Sequence, residues 1–139
     1  MSKTSTKDME KLAFQLFRYL KNKGLAGDIR IYFKGGRCIS DHESYNPRVH
    51  FTKKVHTFRG KEFEYWDCDD EIKGSEYFEW SNDETLSVST EGGLYGVLNY
   101  YVGGMDYCDR IHKELNEMFG RYGLYFEQGN DWNFSLYEI

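Results

Sequence analysis

The chain has 139 residues, 40% of them hydrophobic and 18% aromatic, and a formal net charge of −5. This composition excludes a disordered polypeptide, and the length fits one domain that buries a core without disulfides or a metal. No apolar run approaches the roughly 18 to 20 residues of a membrane span, and the N-terminus lacks the charged-then-apolar layout of a signal peptide. The three cysteines are odd in number and widely spaced, which favours reduced thiols over a disulfide framework. We therefore expect one soluble, cytoplasmic domain over residues 1–139, with residues 1–5 flexible.

The first third of the chain predicts a helix followed by a β-hairpin. Ser5 and Asp8 mark a helix start, and apolar residues recur at helical spacing over residues 9–20. Apolar and polar residues then alternate over residues 29–34, before the Gly35-Gly36 pair and a second short run. Alternation interrupted by paired glycines is typical of a hairpin.

Residues 48–58 predict a strand with one mainly apolar face and one basic face. A three-residue loop over residues 59–61 would pair Val55 with Tyr65 and place both in a core. A two-residue loop would instead set Val55 opposite Glu64. The expected burial of Val55 therefore favours the three-residue loop.

The second half of the chain predicts further strands and helices. Residues 75–80 and 85–90 are expected to be strands that continue an antiparallel meander. A short helix within residues 94–102 is favoured over a strand, and residues 106–122 carry a clear helical stripe. Two runs at residues 124–127 and 132–137 predict a C-terminal β-hairpin. The order predicts an α+β fold with a meander sheet of about four to six strands.

Motifs for catalysis and cofactor binding are absent from the sequence. There is no CxxC, HExxH, GxSxG or phosphate-binding glycine loop. Asp67, Asp69 and Glu71 alternate as in a calcium loop, but Ile72 stands where such a loop needs glycine and Phe78 where it needs glutamate. We therefore expect a non-catalytic protein without a cofactor or a metal.

Charge is distributed unevenly along the chain. Residues 1–61 hold fourteen lysines and arginines against five acids, whereas residues 62–139 hold four against eighteen. At the boundary, residues 48–61 carry five basic side chains and no acid, and residues 62–91 carry eleven acids and one lysine. Adjacent blocks of opposite sign indicate either pairing between neighbouring strands or two distinct binding faces.

The acidic block also contains two tryptophans, and this combination defines the candidate site. Pairing with the neighbouring basic strand explains Glu62 and Glu64, but the carboxylates that follow them have only Lys73 nearby in sequence. Unpaired like charges do not stabilise a fold. Tryptophan is among the residues that contribute most to binding energy at interfaces. The candidate partner-binding residues are Glu62, Glu64, Trp66, Asp67, Asp69, Asp70, Glu71, Glu76, Glu79, Trp80, Asp83 and Glu84.

Three interpretations of this pattern stay open. Carboxylates along a surface can imitate phosphates, as in the small antirestriction and anti-CRISPR inhibitors of phages and mobile elements, so the partner would be a protein with a basic, nucleic-acid-binding surface. The likeness to those inhibitors lies in size, charge and aromatic content alone. A solvated sheet face would show the same alternation. The third interpretation is direct binding of nucleic acid or a small ligand through Arg48, His50, Lys54 and His56.

Overall fold

The computed structural model describes residues 4–43 and 46–139, in which helices and antiparallel strands follow the predicted α+β order. The helices are α1 (Thr6–Lys23), α2 (Gly93–Leu98) and α3 (Met105–Gly120). The strands are β1 (Ile29–Phe33), β2 (Arg37–Ser40), β3 (Phe51–Phe58), β4 (Lys61–Cys68), β5 (Leu86–Thr90), β6 (Leu124–Asn130) and β7 (Asn133–Glu138).

All seven strands belong to one antiparallel sheet, in the order β3-β4-β2-β1-β5-β7-β6. The predicted α+β class, both long helices, the short helix α2 and the C-terminal hairpin are confirmed. The sheet has more strands than the four to six expected, and it is not a simple meander. Strand β5 returns to pair with β1 on one side and with β7 on the other.

Helix α1 forms where the sequence predicts it. The Ser5 hydroxyl accepts a hydrogen bond from the Asp8 N–H at 3.1 Å, which caps the first turn. Gly24 ends the helix in a left-handed conformation with φ of 70°. Of the end that we expected to be flexible, residues 1–3 lie outside the described residues. Nowhere in the described ranges is a helix both long and apolar enough to cross a bilayer.

The sheet buries apolar side chains on both faces. The larger core lies between the sheet and the three helices, and α1 contributes Met9, Leu12, Ala13, Leu16, Phe17 and Leu20. A smaller cluster on the opposite face contains Tyr32, Cys38, Phe51, Ile72 and Phe78. Full burial of each large apolar side chain contributes about 1.5–3 kcal/mol. The segment after β4, which supplies Ile72 and Phe78, is thereby held against the second face.

The predicted turn between β3 and β4 is wrong by one residue. Phe58 pairs with Lys61, so the turn contains only Arg59 and Gly60, with φ of 52° and 76°. This two-residue turn sets Val55 opposite Glu64 and leaves Val55 54% exposed. The expectation failed because β3 is an edge strand, and the face that lies against α1 is the one opposite to Val55. A one-residue change in register exchanges the two faces of a strand.

The predicted strand at residues 75–80 is also wrong. A short 3₁₀ turn, Gly74–Glu76, starts this region, and Trp80 adopts a left-handed backbone with φ of 66° that no regular strand allows. The physical reason is the sheet order: both edges of β5 are occupied by β1 and β7, so no edge remains for a strand that precedes β5.

Candidate partner-binding surface

The acidic, aromatic stretch does not form a single patch. Glu62 and Glu64 lie on β4, near one end of the sheet, whereas Trp80 contacts the β6–β7 hairpin at the other end. Three strands separate β4 from β7, which corresponds to roughly 19 Å at the usual strand spacing. The chain between them crosses the second face of the sheet, so the predicted residues divide into two groups.

Asp67 is not available to a partner because it is buried beneath α1. Its carboxylate oxygen lies 2.8 Å from the Lys54 Nζ and 3.3 Å from the Arg37 Nη2. Alternation along β4 places Asp67 on the face of Phe63 and Tyr65, toward the large core. The two cations neutralise Asp67, which thereby joins β4 to β3 and β2, and Arg37 continues the network to Glu10 of α1.

The other β4 residues of the candidate set belong to the opposite face of that strand. Glu64 pairs with Lys53 across the strands at 3.1 Å, in the open, and Glu62 faces Thr57. Trp66 is half-buried against the smaller core cluster. As the alternation predicts, Trp66 shares its face with Glu62 and Glu64. This part of the stretch is an ordinary solvated strand pair.

Residues 69–84, which we call the acidic loop, carry seven carboxylates and a single lysine. The loop is fixed to the sheet from within. Ile72 and Phe78 are buried, and the Ile72 N–H donates to the Gly36 carbonyl at 2.9 Å. Thr52 donates its hydroxyl to the Asp69 carboxylate at 2.7 Å, where the loop leaves β4. These contacts give the carboxylates defined positions.

Three internal hydrogen bonds shape the middle of the acidic loop. The Glu76 carboxylate accepts from the Lys73 N–H at 3.2 Å, and the Asp83 carboxylate accepts from the Ser75 N–H at 3.3 Å. The Ser75 hydroxyl also donates to Asp83. Both carboxylates therefore stabilise the loop conformation as well as adding to its charge.

Most of the charge on the acidic loop faces solvent. Asp70, Glu71 and Glu79 are exposed, and none of the described side chains forms an ion pair with them. Glu84 has a distant pair with Lys34 at 3.8 Å. Because surface pairs contribute little and the remaining acids repel one another, the loop presents a largely uncompensated negative potential.

Trp80 stands at the end of this loop with 67% of its surface exposed. The Tyr137 hydroxyl donates to the Trp80 carbonyl at 2.8 Å, across 57 residues of sequence. Gly129 allows the close packing here, since a methyl group there would overlap the Asn133 Oδ1 and would lie 3.1 Å from the Trp80 Cβ. The left-handed backbone costs a non-glycine residue about 1 kcal/mol. The hairpin thus holds a strained residue whose large apolar ring points into solvent.

The four residues of the alternative basic face do not form a continuous cationic surface. Arg48 and His50 are exposed but precede β3, and Lys54 is engaged by Asp67. His56 is half-buried, stacks on Phe14 at 4.5 Å, and accepts a hydrogen bond from the Arg18 guanidinium at 2.9 Å. Burial and the nearby Arg18 charge lower the pKa of His56, so it stays neutral near pH 7.

The residues that support Trp80 could not be found from sequence. Tyr137 and Gly129 are distant along the chain and look like ordinary hairpin residues, so only the sheet order brings them to the acidic loop.

Throughout residues 4–43 and 46–139, no three His, Cys, Asp or Glu side chains are grouped as metal ligands would be. Comparisons with protein-family models, curated proteins and solved structures give no match.

Proposed function

We propose that this protein is a non-catalytic binding module whose acidic loop engages a basic surface of a protein partner, with Trp80 as the apolar anchor. The observation that carries the proposal is an exposed tryptophan, held in a strained conformation, at the end of a loop of solvent-facing carboxylates. Strained residues persist only where the surrounding structure enforces them, and they concentrate at functional sites.

Both an apolar anchor and negative charge would contribute to binding. Tryptophan is enriched among the few residues that dominate binding energy, because its large ring becomes fully desolvated in a partner's pocket. The carboxylates around it would attract a basic partner and select against acidic ones. A rigid loop loses little conformational entropy on binding, since its side-chain and backbone contacts already exist in the free protein.

The most specific form of the proposal is an inhibitor that imitates nucleic acid. Asp70, Glu71 and Glu79 supply negative charge from a fixed scaffold, as phosphates do in a nucleic-acid strand. A protein groove that binds nucleic acid offers the complementary cations and, in many cases, aromatic surfaces. The proposed partner is therefore a nucleic-acid enzyme of the cytoplasm, consistent with the free thiols Cys38, Cys68 and Cys108.

Direct binding of nucleic acid through Arg48, His50, Lys54 and His56 is less well supported. Lys54 is already paired and His56 is neutral and half-buried, so only Arg48 and His50 would contribute from the predicted set. One exposed arginine and one exposed histidine give only weak, nonspecific binding.

The proposal is tested by capture from nuclease-treated lysate followed by a competition assay. The wild type is compared with Trp80→Ala and with the triple variant Asp69→Lys, Asp70→Lys and Glu71→Lys. We expect the wild type alone to capture a nucleic-acid-binding protein and to displace nucleic acid from that purified partner. Both variants should lose at least about tenfold in affinity, since anchors and charge pairs at interfaces contribute 2 kcal/mol or more.

A matched charge control separates the acidic loop from net charge. Glu43→Lys, Glu91→Lys and Asp106→Lys change the total charge by the same amount at exposed positions outside the loop. This control should bind like the wild type. Equal loss in both triple variants would reduce the interaction to nonspecific electrostatics, and a partner that binds Trp80→Ala and the loop variant normally would refute the proposal.

A further inference from the structure

An open cleft of about 380 Å³ lies between α1, the β3–β4 turn and the end of α3, on the side of the sheet away from the acidic loop. Its lining includes three arginines from three different elements: Arg18, Arg59 and Arg121. The volume falls within the range of small-ligand sites. The charge pattern of the sequence does not reveal that these three arginines line one cleft.

Two of these arginines are fixed by an aromatic ring. The Arg18 guanidinium carbon lies 3.7 Å from the centre of the Phe58 ring, and that of Arg59 lies 5.1 Å from it. Arg18 is further oriented by its hydrogen bond to the His56 Nε2 at 2.9 Å. Arginine can only donate, so the ring nitrogen of His56 accepts and the proton of the neutral imidazole resides on Nδ1. Stacking leaves the edges of the guanidinium groups available for further hydrogen bonds.

The charges of Arg18 and Arg59 are not balanced by the acidic residues of the cleft. No carboxylate of the described residues forms an ion pair with Arg18 or Arg59. The two glutamates of the lining have other partners. Glu114 accepts from the Tyr19 hydroxyl at 2.7 Å and pairs with Lys23 at 3.5 Å, and Glu117 lies 3.9 Å from Lys113.

The consequence is a partly buried arginine beside a second cation. Desolvation, followed by repulsion from Arg59, lowers the pKa of Arg18, although arginine stays charged at any physiological pH. A group that is destabilised in its charged form by burial and by a like charge would be stabilised by an anion bound beside it in the cleft.

We propose that this cleft binds the phosphate group of a small phosphorylated molecule. Arginine presents a planar fork of donors that matches phosphate oxygens, and several cations favour a dianion over a singly charged carboxylate. The three arginines line one small cleft, which suits a single phosphate group better than an extended nucleic-acid strand. The site is independent of the acidic loop and of the function proposed for it.

The test is a titration of the full chain, followed by the backbone amide signals in nuclear magnetic resonance. The probes are inorganic phosphate, glucose 6-phosphate, acetate and a short single-stranded oligonucleotide, all at one ionic strength. We expect both phosphates to shift the amides near Arg18, Arg59 and Arg121 in a saturable manner, with acetate giving no saturation. If glucose 6-phosphate binds more tightly than inorganic phosphate, the natural ligand is an organic phosphate. If the two bind equally, the natural ligand is free phosphate.

Substitutions then assign the binding to the cleft. Arg59→Gln, in an exposed turn, should weaken phosphate binding about tenfold without affecting the fold, and Arg18→Gln should weaken it at least as much. Arg48→Gln, an exposed arginine that precedes β3, is the matched control and should bind as the wild type does. Equal responses to acetate and phosphate, equal weakening by the control, or preferential binding of the oligonucleotide through the same arginines would each overturn the proposal.

Discussion

At the scale of single residues, His56 connects protein stability to pH. Its neutral ring is stacked on Phe14 and accepts from Arg18, so the folded state disfavours its protonation and has the lower pKa. The unfolded chain therefore binds more protons as pH falls below about 6.5, the ordinary histidine value. The contribution of His56 to stability is complete above that pH and is lost as pH falls toward the lowered pKa of the folded state.

We expect the urea midpoint of the wild type to decrease from pH 7.5 to pH 5.5 more than that of His56→Gln. The glutamine variant retains an acceptor for Arg18 but does not titrate, so the difference between the two pH profiles isolates this side chain from His42, His50 and His112. Parallel profiles for the two proteins would show that His56 titrates alike in the folded and unfolded states.

A second prediction concerns Trp80, where two substitutions separate the effect of backbone strain on stability from the effect of removing the exposed ring. Trp80→Gly and Trp80→Ala both remove a ring that is 67% exposed, but only glycine relaxes a backbone with φ of 66°. In chemical denaturation, Trp80→Gly should be more stable than Trp80→Ala by about 1 kcal/mol. Equal stability of the two variants would contradict the assignment of strain, whereas both should lose the proposed partner.

At the scale of elements, the buried Asp67 carboxylate joins β4 to β3 and β2, whereas the Glu64–Lys53 pair between β4 and β3 lies in solvent. Asp67→Asn should lower the free energy of unfolding by about 1–3 kcal/mol, because it weakens contacts with both Lys54 and Arg37 in a buried position. Glu64→Gln removes only the solvent-exposed pair with Lys53 and should cost less than about 1 kcal/mol.

Urea denaturation of both variants at low and high salt checks this difference. The small effect of Glu64→Gln should disappear at high salt, while that of Asp67→Asn should remain, since buried pairs are screened much less than exposed ones. If the two substitutions cost the same, the Asp67 network would be no more than a surface feature.

At the scale of the whole molecule, the strand order predicts how local stability is distributed. Strands β1 and β5 are central and paired on both sides, whereas β3 and β6 form the edges of the sheet. Amides of β1 and β5 should exchange with solvent only on global unfolding, and the outward-facing amides of β3 and β6 should exchange much faster. Hydrogen exchange measured by nuclear magnetic resonance checks this order, and uniform protection across the sheet would contradict it.

Local patterns in the sequence were sufficient for the elements that local interactions define. The spacing of apolar residues predicted α1 and α3, and the Ser5 cap is a contact over three residues. The acidic loop is likewise visible in the sequence as a dense run of carboxylates. The exposure of most of these carboxylates could be anticipated because charged groups almost always remain in water, whereas the exposure of Trp80 could not.

The tertiary structure decided everything that depends on which strands become neighbours. Val55 looked like a core residue, but β3 is an edge strand whose other face meets α1, so the register differs by one residue. Asp67 looked like a surface carboxylate and is buried by pairing with Arg37 and Lys54. Sheet order and helix packing also place Trp80 far from Glu62 and bring Arg18 and Arg59 to one cleft. They set the contacts between distant segments, and no local pattern in the sequence encodes them.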